Sequence, residues 1–260
     1  MRVLALLLLI TGATRAHAEV LDHALLDAEV GPVRIFQNEG RYGAKGTLFR
    51  AGDLGESSNL FSAERIAVEF QKSRSILVFL YAPFDLHTQV TLTRDVQFRG
   101  LLLRAGTPIS NRYLFDGYRG SYLYRVVEGR RFKLELGASL QVRNASVEFG
   151  ALDGSSYERQ TNIGLVFALK GRVRYDFTWG GWAMLDADGI SSFGVGGVGG
   201  ALYDVALTLG LPVRTGADLF FRLRFLGGGA NVPDQRLYNW GKFGFALIGA
   251  RLDFTELWRR

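Results

Sequence analysis

From Phe132 to Val142 the residue types change face at every step. Phe132, Leu134, Leu136, Ala138, Leu140 and Val142 fall on one side, and Lys133, Glu135, Gly137, Ser139 and Gln141 on the other. Successive side chains of a β-strand point to opposite faces, so this stretch reads as a strand with one oily and one polar surface. An ordinary strand is about 5–6 residues long, whereas a strand that crosses a bilayer at a tilt needs about 9–11. The length of the run therefore points to a membrane-spanning sheet, which must close on itself because lipid offers no partner for an open edge.

Other segments carry the same pattern. Residues 161–177 set Ile163, Leu165, Phe167, Leu169, Val173, Tyr175 and Phe177 against Asn162, Lys170, Arg172, Arg174 and Asp176. After the turn at 178–181 residues 182–190 return, 200–213 and 218–227 repeat the pattern, and so do 62–71, 111–127 and 242–254. The run Ile76 to Ala82 is apolar on both faces, and residues 90–104 hold a hairpin that turns at Arg99-Gly100. With a weak first strand at 41–50, the tally is an all-β, transmembrane, up-and-down antiparallel β-barrel of ten strands, eight or twelve being the alternatives. Short connections at 72–75, 128–131, 178–181 and 214–217 alternate with long ones at 50–61, 84–110, 148–160, 191–199 and 228–240. Outer-membrane barrels have short periplasmic turns and long extracellular loops, so the long connections are expected outside the cell and both termini in the periplasm.

The ends of the chain agree with export. Met1-Arg2, the apolar run Val3 to Ile10 and the small-x-small site Ala16-His17-Ala18 read as a signal peptide over residues 1–18. Residues 19–40, interrupted by Gly31-Pro32, read as a periplasmic lead-in, 41–254 as the barrel and 255–260 as a C-terminal tail. No cysteine is present, so stability must come from packing and a closed ladder, without disulfides or thiolate metal sites. All five prolines, at 32, 83, 108, 212 and 233, fall where loops or strand ends are expected.

These features resemble the small bacterial outer-membrane β-barrel proteins. The resemblance rests on the export signal, the alternating spans, the turn Phe177-Thr178-Trp179-Gly180-Gly181-Trp182 and the closing strand that ends Ala250-Arg251-Leu252-Asp253-Phe254. It implies insertion by the barrel assembly machinery, contact with outer-membrane lipids and lipopolysaccharide, and an interfacial aromatic girdle that would include Trp179 and Trp182. It implies no cofactor, no metal and no nucleic-acid partner.

Three functional readings follow. The inward faces carry the cations Arg119, Arg125, Lys133, Arg143, Lys170, Arg172, Arg174, Arg222 and Arg224 beside the acids Glu69, Glu135, Asp176, Asp186, Asp188 and Asp204. Opposite charges on one crowded face are expected to pair and plug the lumen, which makes the barrel a non-enzymatic structural or surface-interaction protein. An anion-preferring pore lined by Arg172, Arg174, Arg222 and Arg224 is the second reading. The third is a rim hydrolase. Omptin proteases are similar in activating a water with an Asp-x-His and an Asp-x-Asp pair, and Asp85-Leu86-His87 and Asp186-Ala187-Asp188 offer those pairs in the opposite order. A lipid A-modifying barrel would need a nucleophile and base, and offers His23, His87, Ser110 and Tyr113 at no telling spacing. Gly194-Val195-Gly196-Gly197-Val198-Gly199 matches the dinucleotide fingerprint, but a strand follows it where the fingerprint needs a helix.

Overall fold

A computed structural model describes residues 21–258. The long alternating stretches form ten antiparallel strands: β1 (His23–Tyr42), β3 (Phe61–Lys72), β4 (Ser75–Thr91), β7 (Pro108–Glu128), β8 (Phe132–Ala151), β9 (Tyr157–Asp176), β10 (Trp182–Ser191), β11 (Gly199–Arg214), β12 (Ala217–Val232) and β13 (Leu237–Asp253). Each pairs with the next, and β13 pairs with β1 from Leu25↔Asp253 to Tyr42↔Leu237, so the sheet closes. The short strands β2 (Phe49–Arg50), β5 (Val96–Phe98) and β6 (Leu101–Leu103) lie in the two longest connections. A one-and-a-half-turn helix, α1 (Phe254–Trp258), follows β13. The 1–18 signal-peptide reading lies outside the described residues.

The expected ten strands are present, but the first is not where the pattern placed it. Residues 23–42 are not a lead-in; they form β1, and 41–50 holds only its end and the two-residue β2. Gly31-Pro32 does not stop the strand because the ladder to β13 skips these two residues, passing from Val30↔Ile248 to Val33↔Phe245. A Cβ on Gly31 would stand 2.2 Å from the Ala246 carbonyl oxygen, so only glycine allows that approach. Pro83 and Pro212 also lie inside strands. Pro83 pairs with Asp116 on one side, and on the other the β3–β4 ladder has already ended at Ile66↔Tyr81. Pro212 sits beside the bulge before Arg214. A residue without an N–H is tolerated where the ladder lacks an acceptor for it.

The outer surface of the spans is apolar. Leu136, Leu140, Leu165, Leu169, Leu207, Leu209, Leu223 and Ile248 are all exposed, while their chain neighbours Glu135, Ser139, Lys170, Thr208 and Arg222 are buried inside. Such an inversion is stable only against lipid. Ile76, Val78 and Leu80 of the doubly apolar run pack inside on Ala67 and Leu123, and Leu77, Phe79 and Tyr81 face out.

Most strands outlast the apolar belt. The connections read as long at 148–160 and 228–240 shrink to 152–156 and 233–236, because β8, β9, β12 and β13 continue upward as paired strands. At this loop end the wall divides along two seams. One lies above Ile66↔Tyr81 between β3 and β4. The other lies above Leu169↔Gly189: β9 continues to Tyr157, paired only to β8, while β10 turns back at Ser191 into β11. The two longest connections fold inward over the loop end, where Phe49, Phe98, Phe149 and Tyr42 interlock with ring centroids 4.7–6.3 Å apart.

Candidate functional site: the barrel lumen

Strand parity carries every second residue into the lumen, and the inward set changes character along the barrel axis. At mid-height the side chains form one connected ion-pair chain. Arg125 meets Glu135 at 3.0 Å, and Arg172 reaches Glu135 at 3.4, Glu69 at 2.8 and Asp186 at 3.1 Å. Lys170 bridges Asp186 and Asp188 at 3.2 and 2.7 Å; Arg119 bridges Asp188 and Asp204 at 2.9 and 3.0 Å; Arg224 grips Asp204 through two bonds of 2.7 and 2.9 Å. Ser139 donates to Asp188, and Arg119 also donates to Gln141. A second chain runs alongside it. Arg251 holds Asp27 by two bonds of 2.7 and 2.8 Å, and Glu29 accepts from Arg222 at 2.6 and Arg65 at 2.7 Å.

The eight cations Arg65, Arg119, Arg125, Lys170, Arg172, Arg222, Arg224 and Arg251 thus face the seven carboxylates Asp27, Glu29, Glu69, Glu135, Asp186, Asp188 and Asp204. The layer is close to neutral, not a ring of one sign. Because most of these groups are buried and bonded on both sides, each holds its neighbour's rotamer, as a fully satisfied polar network does. The cavity on the turn side, about 210 Å3, and that on the loop side, about 570 Å3, share no lining residue, and the charge layer lies between them.

Nearer the turns, Lys133 and Arg174 share Asp176, at 3.7 and 2.8 Å. Trp182 lies here too, which corrects its expected place in the girdle. It is buried, donating to Asp218 at 2.7 Å with the guanidinium groups of Arg174 and Arg251 4.5 and 4.8 Å from its ring. Parity is the reason: Trp182 pairs with the inward-facing Asp176 and with Gly210, whose missing side chain leaves room for the indole. Trp179 is exposed and stacks on Phe177.

The structure does not bring the hydrolase candidates together. Asp85 and His87 alternate with buried Phe84, Leu86 and Thr88 and stand on the outside of β4, where Arg112 holds Asp85 by bonds of 2.9 and 2.6 Å and His87 contacts Ser110 at 2.7 Å. Asp186 and Asp188 are in the ion-pair chain inside β10. The wall stands between the two pairs, and no water can be shared. His23 and Asp253 pair at 2.6 Å beyond the charge layer on the turn side. Among the described residues no cluster of three or more His, Cys, Asp or Glu side chains is placed to hold a metal ion. The glycine-rich hexapeptide is the connection between β10 and β11, with Gly194, Gly196 and Gly197 at positive φ.

Arg143 stands apart from the other lumen cations. It projects from β8 into the loop-side cavity, pairs with no carboxylate among the described residues, and donates only to the Asn162 amide oxygen at 2.8 Å; its Nε is buried without a partner. Arg65, Arg251, Asp27 and Glu29 complete the layer and were not expected from sequence. Two of the four were hidden by a misplaced strand start, since Asp27 and Glu29 lie in the segment read as a lead-in, whereas Arg65 and Arg251 lie inside the spans read at 62–71 and 242–254. The signal for the first two was their i, i+2 spacing.

The lumen and its wall define the class: a closed, ten-stranded transmembrane β-barrel of the outer-membrane type, with buried ion pairs across its interior. No protein-family model and no curated sequence matches the chain. Among solved structures it is similar to the outer membrane protease OmpT from Escherichia coli (10% identity, TM-score 0.46, over 90% of this chain and 98% of that one). It is also similar to the attachment invasion locus protein Ail of Yersinia pestis (8%, 0.40, 89% and 99%) and to the toluene transporter TodX of Pseudomonas putida (7%, 0.38, 92% and 92%).

Proposed function

We propose that the protein is a non-conducting integral barrel of the bacterial outer membrane with a structural or surface-interaction role. Its turns and both termini would face the periplasm, and the folded loop end would face outward. The observation that carries this reading is the near-neutral layer from Arg125 to Arg224, whose bonded side chains separate the two cavities. A charge-selective pore needs a water-filled path lined by one sign of charge, and Arg172, Arg222 and Arg224 are each matched by carboxylates at 3.4 Å or closer. Arg34 and Lys242, outward-facing on neighbouring strands toward the loop end, supply cations for the phosphates of lipopolysaccharide.

Planar-bilayer recording tests the plug. The intact barrel should show no steady ion-selective current, and steady anion-selective openings abolished by Arg222→Ala and Arg224→Ala would overturn it. Epitope tags after Gly154 and Arg130 test the orientation. Labelling of intact cells only at the Arg130 site would reverse it.

A further inference from the structure

The seam between β9 and β10 coincides with the larger cavity. Leu165 and Phe167 point out of the barrel and are exposed, yet they line the same space as Tyr113 and Gln141, which point in. A cavity bounded by both faces of one strand passes through the wall. It does so where β9 has lost its β10 partner, above Leu169. The height is set by β9 itself: its outward residues are apolar from Tyr175 to Ile163 and then become Thr161 and Arg159. The opening therefore begins within the upper part of the apolar belt, on the side of the long loops.

The walls are mostly apolar, and the volume of about 570 Å3 falls within the range of small-molecule sites, roughly 300–1,000 Å3. Ile190, on the inward parity of β10, is exposed into this space. One charged group reaches it: Arg143, whose Nε is buried and unpartnered while every cation of the layer below has a carboxylate. Leaving a donor of a charged group unsatisfied is costly, and a bidentate anion is the partner a guanidinium fits best.

We infer that this cavity binds a single-chain amphiphile with an anionic head, the head on Arg143 and the alkyl chain running out through the seam between β9 and β10 into the membrane. The inference goes beyond the plugged-barrel reading and needs only that the barrel lie in a bilayer. Conductance leaves it untouched, since the charge layer closes the lumen below the site.

The test is equilibrium binding of radiolabelled palmitate, with hexadecanol as the neutral-headed probe, to the barrel in phosphatidylcholine nanodiscs, each variant first shown to fold by its heat-dependent gel mobility. Palmitate should bind saturably and hexadecanol about tenfold or more weakly, and Arg143→Gln should abolish that difference, the effect expected of a lost charge-assisted contact. Ala145→Trp, filling the interior, and Val166→Trp, filling the seam, should weaken both probes. Equal binding of the two probes by the unaltered barrel would overturn the anionic head. Palmitate binding unchanged by both tryptophans would overturn the site, and loss in Ala145→Trp but not Val166→Trp would overturn the route through the seam.

Discussion

Glu56 sits in the connection between β1 and β3 that folds over the loop end, fully buried, with one carboxylate oxygen accepting from the Asn38 amide at 2.9 Å and the other without a partner. Burial pushes its carboxyl up to about 7, with the Asn38 bond pulling the other way. In an opened loop it would titrate near 4.5. An acid whose folded value is raised favours the closed loop fully below the open-state value and loses that advantage as pH rises through the folded value. The window is therefore about pH 4.5 to 7, and the full penalty above it is on the order of 3 kcal/mol at 1.36 kcal/mol per unit. From about pH 5.5 to about pH 8.5 the loop-opening equilibrium should rise roughly 30-fold, or about 2 kcal/mol. The chain has no cysteine, so Leu54→Cys, at a fully buried position two residues away, gives a unique thiol that a maleimide reaches only when the loop opens. Ser58→Cys, at an exposed position, corrects for the pH dependence of the thiol. Glu56→Gln keeps a partner for Asn38 and removes the titration. Protection of Leu54→Cys that is the same at both pH values, or a pH dependence that persists in Glu56→Gln, would refute the reasoning.

Asp204→Ala leaves Arg224 and one arm of Arg119 buried without their carboxylate and should lower unfolding stability in lipid vesicles by about 3–5 kcal/mol in urea titration, the cost of an orphaned buried charge. Trp182→Phe removes the bond to Asp218 and weakens two cation–π contacts, a loss of about 1–3 kcal/mol in the same assay, whereas Trp179→Phe should change it by less than about 0.5. Gly137→Ala would place a Cβ 1.9 Å from the Tyr122 carbonyl oxygen, so the β7–β8 ladder must part there, and amide exchange at Tyr122 and Leu123 should accelerate relative to Ser139.

The ten-strand barrel was legible because lipid enforces a monotonous outer face: Leu136, Ala138 and Leu140, and again Leu165, Phe167 and Leu169, are apolar at every second position whatever lies inside. The lumen obeys no single rule. In β1 the inward set runs from Asp27 and Glu29 in the charge layer to Val33 and Ile35 in the apolar upper interior, so neither face keeps one character, and Gly31-Pro32 adds a false stop. Glu135 with Arg125 and Asp176 with Arg174 were legible as partners because each pair shares the inward face, across neighbouring spans in the first case and at i, i+2 in the second. Trp182 was not, since a tryptophan after a turn reads as a girdle residue until the register with Asp176 is known. The seam was invisible for a related reason: β9 and β10 are both plausible strands, and only the ladder shows that one outruns the other by half its length.

The closure of β1 on β13 also sets an order of events. Asp27 and Arg251 are 224 residues apart in the chain, and Glu29 and Arg222 are 193 apart, so the acids of the first strand have these cations as partners only when the last two strands arrive. Until then a half-built barrel carries carboxylates that only Arg65, on the neighbouring β3, can answer. Contacts of such span make closure slow. They also make it self-checking, because a chain cut short before β12 cannot neutralise its own first strand.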